Sequence, residues 1–558
     1  MKKLSKILAL MLALTLVLSL VACGNKTESG KKNAADKLTI FGNIGSAEGY
    51  TVVDEMIIDG FKEKTGITVE IQTASSSGYL EQLQLMIASG EYPDVALFPS
   101  TTVQAYIDVC EAGKVVPLDE YLDAEKYPNL MAYTYPVAWE GVKPLDDGKI
   151  YAIPRTSLTR NEGMLIRADW LKNVGMGDVL DRLCKQVSAD EMVEIMKRFT
   201  TDDPDNDGKD DTIATACYTD DATKQFGPFI FSRGFYGDYG WYAYEGEDYE
   251  YMFPQYSKKS NIFKNQLQYT QDLFKAGYLD KDGPTMNGTA VSDNFQKEIY
   301  GMMNCFIGDL AHTEKVMIDG HGGLKNDEGS YVDYIFAADQ NGAVAGNGYY
   351  KAMWGQWCVF DVCANPENFL AFCDYMLSED VWDMIANGVE GVTYEMIGGV
   401  KTSIEVEPGQ QGRAAAFPAG IIRKAGDPEF FALRGIDPAN TAHMEELTRH
   451  GFYVGQITQI DSLDNGFVPA AASETRFINA NDTMAQVITK ICANMIPVSE
   501  YDKALDDWYK AGGKEYIEQM NAYISENQKS DSAPPVEIPL TPDQWQAAYD
   551  EQKALSEG

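Results

Sequence analysis

The strongest constraint on the fold is an alternation near the start of the chain. Three short runs rich in β-branched and apolar residues, "KLTIFG" (37–42), "ITVEIQT" (67–73) and "PDVALFP" (93–99), are separated by "TVVDEMIIDGFKEKTG" (51–66) and "SGYLEQLQLMIASGEY" (77–92). In the two longer stretches apolar residues return every three to four positions, the period of an amphipathic helix, and Gly66 supplies a stop. Strands alternating with helices in this way predict an α/β fold on an open, mainly parallel sheet. Ligands of such sheets bind at the carboxyl ends of strands, which makes "GNIGSAEG" (42–49) and "STT" (100–102) candidate binding loops. The first loop is glycine-rich, but no Lys-Ser/Thr follows and the dinucleotide spacing is absent, so a phosphate-binding role is set aside.

The first 22 residues place Lys2, Lys3 and Lys6 ahead of an apolar run from Ile7 to Val21, the layout of an export signal and too short for a membrane span. The run ends in "LVAC", similar to the box at which a bacterial peptidase cuts before a diacylglyceryl-bearing cysteine, so Cys23 is the candidate lipidation site. Two or three acyl chains on one residue would hold the protein durably to the outer face of the cell membrane. Residues 23–36 then read as a flexible tether, because "GNKTESGKKNAAD" is small, polar and charged. Loss of the signal removes three lysines and no acid, leaving 43 basic residues against 84 acidic ones and a net charge of −41 in place of −38. That charge excludes nucleic acid as a partner and favours a soluble monomer. The remaining length predicts at least two domains. Eight further cysteines (110, 184, 217, 305, 358, 363, 373 and 492) show no metal-knuckle spacing and lie mostly in apolar runs such as "FLAFCDYML". They are expected as small core residues, with disulfides left open by an exported location.

"SADEMVEIMKRF" (188–199) opens with a capping box, Ser188 with Glu191, and carries Met192, Ile195, Met196 and Phe199 at helical spacing as a core face. It runs directly into "TTDDPDNDGKDDTI" (200–213), which holds six aspartates, at 202, 203, 205, 207, 210 and 211. Carboxylates two residues apart in a tight loop can converge, and Asp203, Asp205 and Asp207 are followed by Gly208 for the turn, the backbone carbonyl of Lys209, and Asp211. Like charges so close repel unless a cation joins them. Calcium, with six to eight oxygen ligands, fits better than magnesium, which demands a tight octahedron. The loop departs from an EF-hand at its twelfth position, where Ala214 replaces the usual glutamate. A solvated acidic turn is the alternative. "TIATACY" (212–218) is expected as a strand.

Six stretches in order, "ASGEYPDVALF", "DGKIYAIPR" with "MLIRADWLKNVGM", "DPDNDGKDDT", "DLFKAGYLD", "NGVEGVTYEM" and "KALDDWYKAGGKEYIEQMN", carry a family resemblance. The chain resembles extracellular solute-binding lipoproteins of bacterial ABC importers, more narrowly the oligosaccharide branch that includes alginate-binding proteins. The resemblance implies a type II periplasmic-binding-protein-like fold, two α/β lobes joined by a hinge, with crossovers near 153–161, 302–309 and 354–357. The lobes would be 37–153 with 302–353, and 162–301 with 358–525. A tail, 526–558, would carry a short helix from Thr541. It also implies structural calcium on Asp203, Asp205, Asp207, Lys209 and Asp211, with the Thr212 hydroxyl or a water standing where alginate-binding relatives have a glutamate. An ABC permease in the membrane would be the protein partner.

Receptors for sugars combine aromatic platforms with polar side chains, because a sugar presents C–H faces and many hydroxyls. The densest aromatic runs nominate Trp241 and Tyr242 in "YGDYGWYAYEGEDYEY", and Trp354 and Trp357 in "GNGYYKAMWGQWCVF". Strand ends and implied crossovers nominate Asn43, Ser100, Arg155 and Asp309 as polar contacts. The competing classes are a membrane-tethered glycan-processing enzyme using two carboxylates, a receptor for peptides or other solutes, and a structural surface protein. No GxSxG, HExxH or Walker sequence occurs, and His443 and His450 read as an exposed helix face.

Overall fold

The computed structural model describes residues 33–43, 50–74, 79–99, 103–134, 141–145, 147–156, 162–219, 226–306, 331–340, 353–397, 400–407, 418–422 and 469–527, with isolated positions elsewhere. Cys23, Ser100 and Asp309 lie outside the described residues, as does nearly all of the 526–558 tail.

Strand β1 (Lys37–Gly42), helix α1 (Val52–Thr65), β2 (Thr68–Thr73), α2 (Tyr79–Ser89) and β3 (Val95–Pro99) follow the alternation read from the sequence. The Thr51 hydroxyl accepts from the Asp54 N–H (3.1 Å) while the Asp54 carboxylate accepts from the Thr51 N–H (2.7 Å), so two otherwise orphaned donors start α1. Gly66 ends it in the left-handed region at φ 78°. After β4 (Ile153–Thr156) the chain crosses to a second sheet and makes β5 (Glu162–Arg167), β6 (Gln186–Val187), β7 (Met302–Phe306) and β8 (Val332–Ala337). It returns with β9 (Met353–Val359). The first sheet runs β2-β1-β3-β9-β4 and the second β6-β8-β5-β7.

This pairing corrects the expected lobe boundaries. Residues 302–306 and 332–337, expected in lobe 1, pair on either side of β5 in lobe 2. Residues 302–306 of the crossing expected near 302–309 thus lie in lobe 2, residues 307–309 lie outside the described residues, and the first described lobe 1 strand after β8 is β9. Helices Glu367–Met376 and Glu379–Asn387, expected in lobe 2, share the lobe 1 core: Phe369, Leu370, Phe372 and Cys373 are fully buried against β1, β3 and α1. Each large apolar side chain buried in this way contributes roughly 1.5–3 kcal/mol as an upper bound. The C-terminal helices, Thr475–Cys492, Glu500–Trp508 and Lys514–Asn527, do belong with lobe 2, where Trp508 stacks on Tyr256 at 4.4 Å.

The last residues of the expected tether are seated. The Asn33 N–H donates to the Val362 carbonyl (2.9 Å), its side-chain amide to Asp94 (2.8 Å), and the Asn368 amide to the Ala35 carbonyl (2.9 Å). Asp94 is buried and also accepts from the Thr39 N–H (2.8 Å) and hydroxyl (2.7 Å), which answers the cost of removing a carboxylate from water.

In lobe 2, helix α3 (Ala189–Thr201) has the expected capping box and buries Met192, Ile195, Met196 and Phe199. The segment after it makes only isolated bridges, Ile213 with Tyr300 and Thr215 with Leu279, in place of a full strand. Among the described residues Cys110, Cys184, Cys217, Cys358, Cys373 and Cys492 are free thiols, five of them buried, and burial pushes those of Cys110 and Cys184 up to about 12. The Cys305 side chain lies outside the described residues. His450 is buried, its Nε2 2.7 Å from the Leu183 carbonyl, which corrects the expected exposed face.

Candidate functional site

Because β1 and β3 are parallel and β9 runs against both β3 and β4, the carboxyl ends of β1, β3 and β4 share one edge of the first sheet. The chain leaves for lobe 2 from that edge. In lobe 2 Glu162 pairs with Phe306, so the start of β5 and the ends of β7 and β8 form the edge at which the chain arrives and departs. The crossovers thus join two sheet edges, and the candidate ligand residues fall on them. Gly163 is needed here: its N–H donates to the Tyr334 hydroxyl (2.8 Å), and a Cβ would come within 2.4 Å of that ring.

On the lobe 1 edge Asn43 follows β1, and its Oδ1 is buried without a hydrogen-bond partner among the described residues. Tyr79, at the start of α2, is fully buried, stacks on Phe41 at 4.8 Å and donates its O–H to the Leu97 carbonyl (2.6 Å). Burial pushes its phenol far above the usual range, so it is a fixed neutral donor that pins the ends of β1 and β3. Arg155, near the end of β4, is half-buried; desolvation pulls its guanidinium down to about 10, with Tyr79 opposing, and it remains a cation at neutral pH.

On the lobe 2 edge the run "GDYGWYAY" (237–244) folds into a turn that projects rings. The Tyr239 N–H donates to the Tyr244 hydroxyl (2.7 Å), which donates to the Gly240 carbonyl (3.2 Å). Tyr242 and Met252 exchange two backbone bonds (3.2 and 2.9 Å). Tyr239, Tyr242 and Tyr244, all half-buried, lie with ring centroids 6.0 to 6.4 Å apart. Burial, reinforced by the charge of Asp339 just beyond β8, pushes the Tyr239 phenol up to about 12. Tyr239 was missed in the sequence; its signal was the run Gly237-Asp238-Tyr239-Gly240, which marks a turn.

Both tryptophans with described side chains are corrected. Trp241 is buried among Phe253, Tyr256 and Tyr516 at 6.1 to 6.2 Å, inside the helical core of lobe 2. In extended backbone successive side chains point to opposite faces, so Trp241 goes in as Tyr242 goes out. Trp357 is fully buried in the lobe 1 core, and its indole N–H donates to the Ile421 carbonyl (2.9 Å), leaving no ring face for a ligand. Trp354 lies on β9 near the crossover, with its side chain outside the described residues.

The aspartate loop sits apart, after α3. Asp203, Asn206 and Gly208 all have positive φ (48°, 59° and 81°), and this curl brings carboxylate oxygens of Asp203, Asp205 and Asp207 within 4.8 Å of one another. The Gly208 N–H donates to Asp203 (3.1 Å) and the Lys209 N–H to Asp207 (2.8 Å). Burial and the charges of Asp207 and Asp203 hold the Asp205 carboxyl above the usual range, while the paired Lys209 ammonium lowers that of Asp207. Three hard oxygen donors at this spacing fit calcium. The Lys209 carbonyl is the expected backbone ligand, and Asp211 is exposed and outside this cluster of three. Thr212, at the position where a glutamate was missing, is buried and its hydroxyl donates to the Phe199 carbonyl (2.8 Å).

A profile describing bacterial extracellular solute-binding proteins matches residues 56–392, more than half of the chain. The chain belongs to that family. It is 25% identical over 443 residues, 79% of this chain and 82% of the other, to the polygalacturonan/rhamnogalacturonan-binding protein YtcQ of Bacillus subtilis (strain 168). It is 22% identical over 529 residues, 91% of this chain and 97% of the other, to lipoprotein LipO of the same organism. Among solved structures, the alginate-binding protein AlgQ2 without calcium ion superposes with a TM-score of 0.59 at 17% identity, covering 90% of this chain and 100% of that one, a likeness of fold. The two-lobed α/β architecture is thus that of the solute-binding family, and the family, YtcQ and AlgQ2 are described as binding proteins.

Proposed function

We propose that this solute-binding protein captures an extracellular oligosaccharide between its lobes and delivers it to an ABC permease in the membrane. The observation that carries the reading is the pairing of unlike groups on the two crossover edges: an amide oxygen and a cation on lobe 1, half-buried tyrosine rings on lobe 2. Sugar hydroxyls need fixed donors and acceptors, and sugar C–H faces need rings. Asn43 accepts from a hydroxyl, Arg155 donates to sugar oxygens, and Tyr239 and Tyr242 lie against the ring faces. Ser100, Asp309 and Trp354 join this set by their sequence positions beside the same edges. The saccharide-binding names of YtcQ and AlgQ2 support the choice of ligand class. Closure of the lobes removes the ligand from water, and the closed form is the one a permease distinguishes.

In this reading calcium braces lobe 2 through Asp203, Asp205, Asp207 and the Lys209 carbonyl, with Asp211 as a further oxygen, and takes no part in ligand contact. Lipid on Cys23 holds the monomer to the outer face of the cell membrane, a reading supported by the LipO relationship. The test is calorimetric titration with a panel of neutral and acidic oligosaccharides, paired with small-angle scattering and product analysis. Stoichiometric binding with a contraction and no product is expected. Released product would favour the glycan-processing alternative, and absence of binding across the panel would sink the proposal.

A further inference from the structure

The tyrosine turn rests on a buried carboxylate. Strand β8 runs against β5, with Ile335 opposite Met164, so its end lies at the start of β5. Asp339, just past that end, is close enough for its charge to raise the Tyr239 phenol, which puts the turn at this edge. The helix Ser232–Tyr236 packs on β8 and ends at Gly237 in the left-handed region (φ 72°). Asp238 then enters the interior, 3% exposed, with its N–H donating to the Arg233 carbonyl (2.9 Å). One of its carboxylate oxygens accepts from the Gly240 N–H (3.2 Å) and the other from the Gln266 side-chain amide (2.8 Å). Gly240 stands at φ 77°, a conformation that most side chains avoid.

Gln266 lies on the helix Ile262–Ala276 and is 1% exposed. A carboxylate only accepts, so Gln266 turns its N–H groups toward Asp238. The same helix is tied to the chain ahead of the tyrosines. The Thr270 hydroxyl donates to the Gln266 carbonyl (2.9 Å) and accepts from the Phe229 N–H (2.8 Å), and the Ser232 hydroxyl donates to the Phe229 carbonyl (2.5 Å). Past Tyr239, the Trp241 N–H donates to the Ser462 hydroxyl (3.1 Å) and its carbonyl accepts from the Leu463 N–H (3.0 Å). An aspartate bonded only to the N–H two residues on makes a local turn that can swing as a unit. Here the second oxygen joins that turn to a core helix.

We propose that Asp238 is a positioning residue for ligand capture: its buried carboxylate sets where Tyr239 and Tyr242 stand on the crossover edge, without touching the ligand. The proposal rests on the oligosaccharide reading above. Ring and sugar face attract only at close range, so a turn free to shift by about 1 Å keeps its rings and loses most of their contact. The tyrosines lie with centroids 6.0 to 6.4 Å apart, so a shift of the turn moves them together. An asparagine would keep one oxygen for the Gly240 N–H, and Gln266 could rotate its amide to accept from the new N–H groups; an alanine offers neither.

The test is a mutant cycle in the full chain, read by calorimetric titration with xylo-, manno- and galacturono-oligosaccharides of two to six units, after circular dichroism has established that each variant is folded. Asp238→Ala is expected to weaken binding about tenfold in the parent, and by less than about twofold in a chain already carrying Tyr239→Ala and Tyr242→Ala, because the rings it positions are gone. Its lowering of the melting temperature should be the same in both backgrounds. Asp238→Asn should bind within about threefold of the parent. Gln266→Met removes the amide donor and should weaken binding about threefold in the parent background alone; it carries the test if Asp238→Ala does not fold. Parental affinity in both Asp238→Ala and Gln266→Met overturns the positioning role, as does an equal loss with and without the tyrosines, and either result leaves the oligosaccharide reading intact. If the parent binds no saccharide at all, that reading fails and the positioning role fails with it.

Discussion

The two lobes position their candidate ligand groups by different means. In lobe 1 one continuous core underlies the sheet, and Asn43 and Arg155 sit at strand ends whose spacing is set by β-ladder bonds and by Tyr79. In lobe 2 the buried residues fall into three clusters, and the candidate groups sit on turns held by side-chain-to-backbone bonds such as Tyr244 to Tyr239. Lobe 1 therefore offers geometry that depends on its whole core, whereas lobe 2 offers geometry that can be altered one turn at a time. A sheet edge is a poor place to change specificity and a turn is a good one.

The largest test of that contrast is Trp357→Ala. Truncating a fully buried tryptophan and orphaning the Ile421 carbonyl is expected to cost lobe 1 about 3–5 kcal/mol, visible as an early transition in denaturant while the lobe 2 transition stays put. A single transition shifted as a whole would break the contrast. Next, chelation of calcium should lower only the lobe 2 transition, by about 2.7 kcal/mol relative to calcium at a hundredfold its dissociation constant. Asp205→Asn should abolish that calcium dependence; equal shifts of both lobes would count against a local brace. Third, Tyr242→Ala should weaken saccharide binding by about 1 kcal/mol, some fivefold, with an unchanged melting temperature, while its neighbour Trp241→Ala should lower melting strongly. Reversal of the two phenotypes would mean that the alternation of these side chains is misassigned.

The smallest effect concerns pH. The Arg182 guanidinium holds the Glu191 carboxyl down at about 2, with burial opposing, so its folded pKa lies below its unfolded value. The stabilisation is complete above about pH 4.5 and is lost as pH falls toward 2. Because the group is partly exposed, screening reduces it to about 1 kcal/mol. Melting of Glu191→Gln against the parent should show a gap at pH 6 that narrows below about pH 4.5 and closes only as pH falls through about 2. A gap independent of pH would assign the effect to the helix cap alone.

Local features were legible in the sequence and pairings were not. The α3 capping box, its apolar face and the aspartate curl depend on neighbours within a few residues, and all three have the expected form. "MMNCF" (302–306) was expected as part of a crossover and is a strand of lobe 2; nothing within it says which sheet it joins, and so both lobe boundaries after residue 301 were misplaced. Tryptophan density does not say which ring faces inward, since that is settled by one-residue alternation and by a core assembled from distant segments. Tyr239 escaped because its position depends on a hydroxyl five residues away.

The clasp on Asn33 and Ala35 has a geometric consequence. With lipid on Cys23, only residues 24–32 separate the bilayer from lobe 1, a reach of roughly 35 Å at full extension. The clasp lies by Asp94 and Val362, at the end of the sheet away from Asn43 and Arg155. Lobe 1 would then be moored near the lipid by the end of its sheet opposite Asn43 and Arg155, and the edge that carries those residues would face the surroundings.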